Sequence, residues 1–271
     1  MPLKPSPIDV ALGRFVKRPS HLRAILSSTN AIISGSFAVQ YFLNETWSSS
    51  DLDIDISADD PSSSELTWTK AQRLIDHLTQ VENYDCAKQA TQYHANDIET
   101  VMTFYAPPHH SAFYGSPMIQ VVLVRSDVVQ HILTTYYATH ILNFITGRRA
   151  YCLYPELLER RKSFLLRDPG MYREFFERKY GRDRGFELIE PETWFGVGER
   201  VIGDERTIVI NFEGLEQDRD VNVEEVGCHA MRERGIVGGV AFKIERHNYG
   251  TDGQRSGLRV STLGWTAGSL L

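Results

Sequence analysis

The chain has 271 residues, of which 42% are hydrophobic and 24% charged, with a formal net charge of −6. This balance excludes disordered and fibrous classes, and the length suffices for a core that needs no staples. No apolar run approaches the roughly 18 residues that span a bilayer, and Met1–Pro7 lacks a signal-peptide stretch. An intracellular protein of the cytoplasm or nucleus, with no membrane partner, is therefore expected. Cys86, Cys152 and Cys228 are widely spaced and form no CxxC, which argues against a disulfide framework or a zinc ribbon.

In chain order, residues 1–19 read as a tether with a short helical piece over 8–15, and a short helix is expected over 21–27. Residues 30–34 form a brief apolar run of the buried-strand type, which leads into Gly35-Ser36 and a helical stretch over 37–43. Residues 51–56, Asp-Leu-Asp-Ile-Asp-Ile, alternate strictly, as a half-buried strand does. Ser62-Ser-Ser-Glu65 has capping-box spacing and opens a helix to about residue 80, with Ala71, Leu74, Ile75 and Leu78 on one stripe. Two β-rich runs, 98–105 and 118–125, read as an antiparallel pair joined by a long proline-containing loop.

Residues 128–133 and 137–145 are apolar without a decisive period. Helices are expected over 155–167 and 171–180, with Pro155 at a first helical position and Gly181 as a stop. Strands follow at 193–195, 207–212 and 240–245. The domain organisation expected is a tether (1–19), an α/β core (20–127), a helical basic segment (128–184), a β-rich acidic segment (185–246) and a flexible tail (247–271). The charge is segregated accordingly. Residues 147–184 hold 11 Lys/Arg and 6 Asp/Glu, whereas 185–227 hold 12 acids and 3 bases. Interleaved acids in the basic stretch favour a solvated helical face over a polyanion site.

The chemistry-bearing constellation is Gly35-Ser36 followed by Ser50-Asp51-Leu-Asp53-Ile-Asp55. Side chains alternate along a strand, so Asp51, Asp53 and Asp55 share one face while Leu52, Ile54 and Ile56 enter the core. Crowded carboxylates repel unless a cation lies between them, and a hard divalent ion with oxygen ligands is the natural occupant. A Gly-Ser turn at a strand-to-helix junction offers free N–H groups and the positive end of a helix dipole to a phosphate. The D-x-D-x-D run is not a calcium loop, because Ile56 and Ser62 occupy the positions that require Gly and Glu. His109-His110, His131, His140 and the cysteines carry weaker signals and read as packed or surface residues.

The segment Ile32-Ile-Ser-Gly35-Ser36…Ser50-Asp51-Leu-Asp53-Ile54 resembles the hallmark of the nucleotidyltransferase superfamily, the DNA-polymerase-β-like fold. More narrowly, Ser34-Gly-Ser-Phe-Ala38, Ser50–Ile54 and the Asn143…Tyr151…Leu153-Tyr154-Pro155 block resemble a group of fungal proteins carrying this motif. The resemblance implies a nucleotidyltransferase-like mixed sheet flanked by helices, followed by a helical segment and a small β-rich part. It implies a nucleoside triphosphate held with Mg²⁺ (or Mn²⁺), Gly35 and Ser36 at the phosphates, and Asp51 and Asp53 as catalytic metal ligands with Asp55 beside them. An acceptor hydroxyl on RNA, a protein or a small molecule would attack the α-phosphate and release pyrophosphate. Family members carry a third carboxylate on a later strand. Here the matching position is Gln120, which cannot act as a base. Asp55 and Glu99 are the substitutes at hand. The alternative is a catalytically impaired member of this fold used for binding or scaffolding, with Gln120 as the discriminating residue.

Overall fold

The computed structural model describes residues 7–48, 50–57, 69–90, 97–106, 118–190, 198–212, 240–249 and 255–265. Its helices are α1 (Ile8–Leu12), α2 (Pro19–Thr29), α3 (Gly35–Leu43), α4 (Thr69–Asp76), α5 (Val128–Thr135), α6 (Pro155–Glu159) and α7 (Pro169–Phe176). Wider π-type turns extend α4 over His77–Val81 and α7 over Glu177–Arg182. The strands are β1 (Ile32–Ser34), β2 (Leu52–Ser57), β3 (Asp85–Ala90), β4 (Ile98–Tyr105), β5 (Met118–Val124), β6 (Phe144–Ile145), β7 (Arg149–Cys152), β8 (Lys162–Ser163), β9 (Glu187–Leu188), β10 (Gly198–Val201), β11 (Ile208–Asn211), β12 (Val240–Tyr249) and β13 (Arg255–Trp265).

The expected α/β class with a mixed sheet is what the chain adopts. Eight strands form one sheet in the order β11-β7-β6-β1-β2-β5-β4-β3, in which β2 and β5 pair in parallel and the remaining pairs are antiparallel. A parallel pair cannot be joined by a tight turn. The chain between β2 and β5 accordingly passes through α4, β3 and β4. Leu52, Ile54 and Ile56 are fully buried with apolar residues of α1 to α4 on one face. The opposite face carries the aspartates. Ile32 and Val124 on that side pack with α5 and with Phe242, Ile244 and Val260 of the separate β10-β12-β13 sheet.

Local chemistry explains where the helices start and stop. Pro19 opens α2 and Asn30 closes it at φ 56°, while Asn44 closes α3 at φ 53°. Asparagine tolerates this left-handed conformation at helix ends. Asp127 caps α5 by accepting from the Gln130 amide at 3.0 Å, and Asp168 caps α7 by accepting from Gly170 at 2.9 Å. The stripe expected on the 62–80 helix is present on α4 and its extension, with Ala71, Leu74 and Leu78 buried and Ile75 partly buried. Its capping box lies outside the described residues, as do His109-His110, the loop joining β4 to β5, the strand expected at 193–195 and Cys228.

Several boundaries differ from the sequence-based expectation. Residues 7–19 are not a tether: Ile8, Leu12, Phe15 and Val16 are buried, and Arg23 ties α1 down through its ion pair with Asp9 at 3.1 Å. The sheet also crosses the 127 and 185 boundaries, since β6, β7 and β11 extend it from β1. The helix expected over 155–167 ends at Glu159, where Arg161 at φ 50° turns the chain into β8. The tail expected to be flexible contributes β13, which pairs with β12 from Val240↔Trp265 to Tyr249↔Arg255. Long antiparallel partners supply the hydrogen bonds that its Gly/Ser-rich composition does not announce.

The β6–β7 turn is pinned to α2 by close backbone approach. Arg23 Nε donates to the Gly147 carbonyl at 3.0 Å. A Cβ on Gly147 would lie 2.2 Å from the Arg23 carbonyl oxygen and 2.8 Å from the Ser27 nitrogen. Both are backbone atoms of a packed helix, so Gly147→Ala is expected to destabilise by about 1–3 kcal/mol, the usual cost of overpacking. Urea melts should show a lower midpoint at unchanged slope. An unaltered midpoint would mean that the turn moves freely.

Candidate functional site

The aspartate face of β2 is built by three registers. Antiparallel pairing places Ser34 of β1 opposite Asp53 and Ile32 opposite Asp55. Parallel pairing places Gln120 of β5 beside Asp53 and Val122 beside Asp55. Thr103 of β4 stands next to Gln120 in turn. The position at which a third carboxylate was sought is therefore adjacent to Asp53 across the sheet, and it carries an amide.

Gly35 adopts φ +62° at the β1–α3 junction. A Cβ there would come within 2.4 Å of Asp53 Oδ2. The turn thus lies directly against the carboxylate, and only a residue without a side chain permits both the dihedral and the approach. Ser34 holds the N-cap position of α3 and is of the right residue type. Its hydroxyl instead donates to Asp55 Oδ2 at 2.5 Å and contacts the Tyr136 hydroxyl at 2.5 Å. The first turn of α3 consequently has no side-chain cap, which leaves its leading N–H groups available to an anion.

Ser36 is buried, and its hydroxyl contacts Ser50 Oγ at 2.5 Å. Gln40 locks this loop. Its amide donates to the Ser36 carbonyl at 3.1 Å and to Ser50 Oγ at 2.6 Å, and its Oε1 accepts from the Trp47 amide at 2.7 Å. The two halves of the motif are thus fastened together ahead of any ligand.

Asp53 and Asp55 alternate with the buried Leu52, Ile54 and Ile56 along β2, Asp51 immediately precedes the strand, and the surroundings of the three differ. Asp53 has a carboxyl pKa held well above 3.8, first by burial and then by the charges of Asp51 and Asp55, with Lys179 pulling the other way. Asp55 is almost wholly buried and accepts hydrogen bonds from Ser34 and from Tyr136 at 3.1 Å. Burial raises its pKa against the opposing effects of His131, Ser34 and Tyr136. Among the described residues no three His, Cys, Asp or Glu side chains converge as an ion's ligands. Among the described residues, Asp55 is the member of the trio whose carboxylate accepts side-chain hydrogen bonds. Glu99 falls at a bulge near the far end of β4, beside the Thr100↔Leu123 pair. At about 3.3 Å per residue that is on the order of 13 Å along the strand from the partner of Gln120.

One wall of the site was not evident from the sequence. Arg184, in the segment expected to be a solvated basic face, is buried and stacks on Trp47 at 4.1 Å and on Tyr180 at 4.6 Å. Arg161 pairs with Glu45 and donates to the Arg184 carbonyl at 2.7 Å. The charge of Lys179 acts on Asp53, and the Tyr180 hydroxyl is held protonated chiefly by burial, with Asp53 and Asp51 reinforcing it against Arg184. The α7 extension therefore borders the carboxylate strand. The only hint in the sequence was the density of aromatic and basic residues over 172–184.

His140 is buried against Tyr180 at 4.1 Å and Phe186 at 5.0 Å, with Nδ1 2.8 Å from Ser163 Oγ. Burial, aided by Arg184 and Lys179, holds its pKa well below 6.5. The unfolded chain binds a proton below pH 6.5 that the folded chain refuses, so stability falls as the pH drops through that value. This single group contributes a slope approaching about 1.4 kcal/mol per pH unit. His140→Phe should flatten the acid limb of a stability–pH curve by that amount. An unchanged limb would show that His140 takes up its proton in the folded state.

No protein-family model matches the chain, and no curated protein matches it. Similar solved structures include the apo form of a CCA-adding enzyme, at 13% identity and TM-score 0.40, covering 69% of this chain and 44% of that one. Two ternary complexes of Leishmania infantum polymerase beta are also similar, each at TM-score 0.26. The primer–template complex is 15% identical and covers 49% of this chain and 48% of that one. The gap complex is 14% identical and covers 70% and 61%. The chain spans less than half the length of the first two structures. Among the described residues, no helix is long and apolar enough to cross a membrane.

Proposed function

We propose that the β1–α3 turn and the start of β2 form a metal-dependent nucleotidyltransferase site. In this reading the chain binds a nucleoside triphosphate and transfers a nucleotidyl group to an acceptor hydroxyl. The observation that carries it is the apposition of Gly35 and Asp53: an uncapped helix N-terminus, suited to a phosphate, touches a carboxylate that burial and its neighbours make costly to ionise. An oxygen-only donor set of this kind fits Mg²⁺ or Mn²⁺. Asp51 and Asp53 would hold the ion, with Asp55 behind them fixing the strand through Ser34 and Tyr136. Neutralisation of phosphate charge is the chemistry that a divalent ion supplies when bound. Gly35 lets the phosphates approach the backbone, and the leading N–H groups of α3 donate to them. Ser36 contributes mainly by bracing the turn against Ser50, because its hydroxyl is already engaged. Lys179 adds a positive charge on the α7 side.

A second reading, a catalytically impaired fold used for nucleotide binding or scaffolding, is favoured by one observation, the Gln120↔Asp53 register. An amide there cannot take the acceptor's proton. The test is to incubate the protein with each labelled nucleoside triphosphate, Mg²⁺ or Mn²⁺, and pooled RNA, protein and small-molecule acceptors, in parallel with Gln120→Asp. Restoring a base is worth about 10²–10⁴ in rate. Gln120→Asp should therefore raise slow turnover by about a hundredfold or more and lower metal-free stability by crowding a third charge beside Asp53. Robust wild-type turnover that Gln120→Asp reduces would dismiss the impaired reading. Failure of calorimetry to detect any triphosphate binding in the presence of Mg²⁺ would dismiss both.

A further inference from the structure

α7 and its extension carry apolar residues on two sides. Phe176 and Tyr180 are buried against His140, with ring centres 5.3 and 4.1 Å away, and they seat the helix. Met171 and Phe175 are nonetheless exposed. They stand four residues apart, as neighbours on one helix face do. Tyr137 holds the Phe175 ring in a T-shaped contact at 5.5 Å. The Arg178 guanidinium lies 6.0 Å from the centre of that ring and Lys179 Nζ lies 5.8 Å from it. The acids interleaved in this stretch do not neutralise the bases. Glu190 is paired with Arg173 at 3.1 Å, and among the described residues Arg178, Lys179, Glu174 and Glu177 form no salt bridge.

This face continues into the proposed site. Lys179 Nζ is also 5.7 Å from the Tyr180 ring, and Arg184 stacks on both Tyr180 and Trp47. The Trp47 amide donates to Gln40, whose own amide donates to the Ser36 carbonyl beside Gly35. A surface helix needs only one apolar stripe to pack, so a second, exposed one bordered by cations points to a partner. An exposed ring and unpaired cations are the two elements that hold an unpaired nucleic-acid strand, because bases stack on the ring and phosphates meet the charges. Duplex DNA hides its base faces and would leave the ring unused, whereas single-stranded RNA presents them. We infer that the face of Phe175, Arg178 and Lys179 binds the single-stranded end of an RNA, and that this RNA is the acceptor whose terminal hydroxyl the Asp51–Asp53 strand receives. The acceptor role rests on the nucleotidyltransferase reading, and the binding does not.

The experiment is fluorescence anisotropy of a short labelled single-stranded RNA of mixed sequence, titrated with the full chain over a range of sodium chloride concentrations. It is run without triphosphate or divalent metal, so that it reads this face alone. Phe175→Ala should weaken binding about tenfold, within the range of one stacked base, at an unchanged salt slope. Arg178→Gln should make the slope of log affinity against log salt shallower by about 0.7, the share of one phosphate contact on a single strand. Both side chains are exposed, and circular dichroism establishes that the variants fold. Lys179 is left intact because its charge also acts on Asp53. DNA of the same sequence should bind no more tightly than the RNA, and duplex RNA and polyglutamate should bind more weakly. No RNA binding at low salt, unchanged binding in either variant, tighter binding of the DNA, or equal binding of duplex or polyglutamate would overturn the inference. RNA binding by a chain that calorimetry shows to take up no triphosphate with Mg²⁺ would refute the nucleotidyltransferase reading, and the acceptor role with it, while the RNA surface would stand.

Discussion

Gly35→Ala is expected to be the most damaging single substitution at the site. Two costs combine. A non-glycine residue at φ +62° is strained by about 1–3 kcal/mol. The new Cβ, 2.4 Å from Asp53 Oδ2, adds an overpacking cost of about 1–3 kcal/mol unless the carboxylate swings away. Because α3 and β2 are locked by the Gln40–Ser36–Ser50 contacts, the aspartate is the freer partner and should yield. The expected result is a lower melting temperature together with loss of triphosphate binding by calorimetry. Ser36→Ala serves as the control: it removes a buried hydroxyl contact, at about 0.5–1.5 kcal/mol of stability, without adding bulk. Gly35→Ala with unchanged triphosphate affinity would remove the turn from the proposed site.

Asp51→Asn combined with Asp53→Asn should abolish the response of the protein to divalent metal and stabilise the metal-free protein. A carboxyl whose folded pKa is raised favours the folded state while it is protonated. That contribution is complete below the unfolded value near 3.8 and is lost as the pH rises through the elevated folded value. Wild-type protein without metal should therefore be destabilised at neutral pH by Asp53, and the amide variant should be more stable there. Addition of Mg²⁺ or Mn²⁺ should stabilise the wild type, by about 2.7 kcal/mol at a hundredfold excess over the dissociation constant. The double variant should not respond. Equal metal-induced shifts in wild type and variant, measured by calorimetric melts at pH 7, would place the ion elsewhere.

Much of the site was legible in the sequence because its two halves are local patterns. The period-two alternation of 51–56 predicts which residues enter the core, and Leu52, Ile54 and Ile56 are indeed fully buried. The Gly35-Ser36 turn sits at a strand-to-helix junction, as the apolar run and the helical stretch around it require. Gln120 is the position at which the family resemblance implies a third carboxylate on a later strand, and only the β2–β5 register sets it beside Asp53. What escaped were contacts between distant segments. Tyr136 lies 81 residues from Asp55, and no periodicity near either predicts that they meet. Arg184 belongs to a stretch whose interleaved charges look solvated, yet stacking on Trp47 buries it.

The sequence by itself determined the class of fold, the residues of the carboxylate strand and the glycine that approaches it, because hydrophobic period and backbone freedom act over a few residues. Tertiary structure decided how alike those carboxylates are. Identical side chains two residues apart meet different surroundings: Asp51 stands at the strand's partly exposed start, Asp53 lies against the turn, and Asp55 is enclosed by Ser34, Tyr136 and the layer of α5 and β13. The charge state of a carboxylate depends on the solvent removed and the charges gathered around it. Those come from elements far apart in the chain and are fixed only when the sheet and its covering layers close.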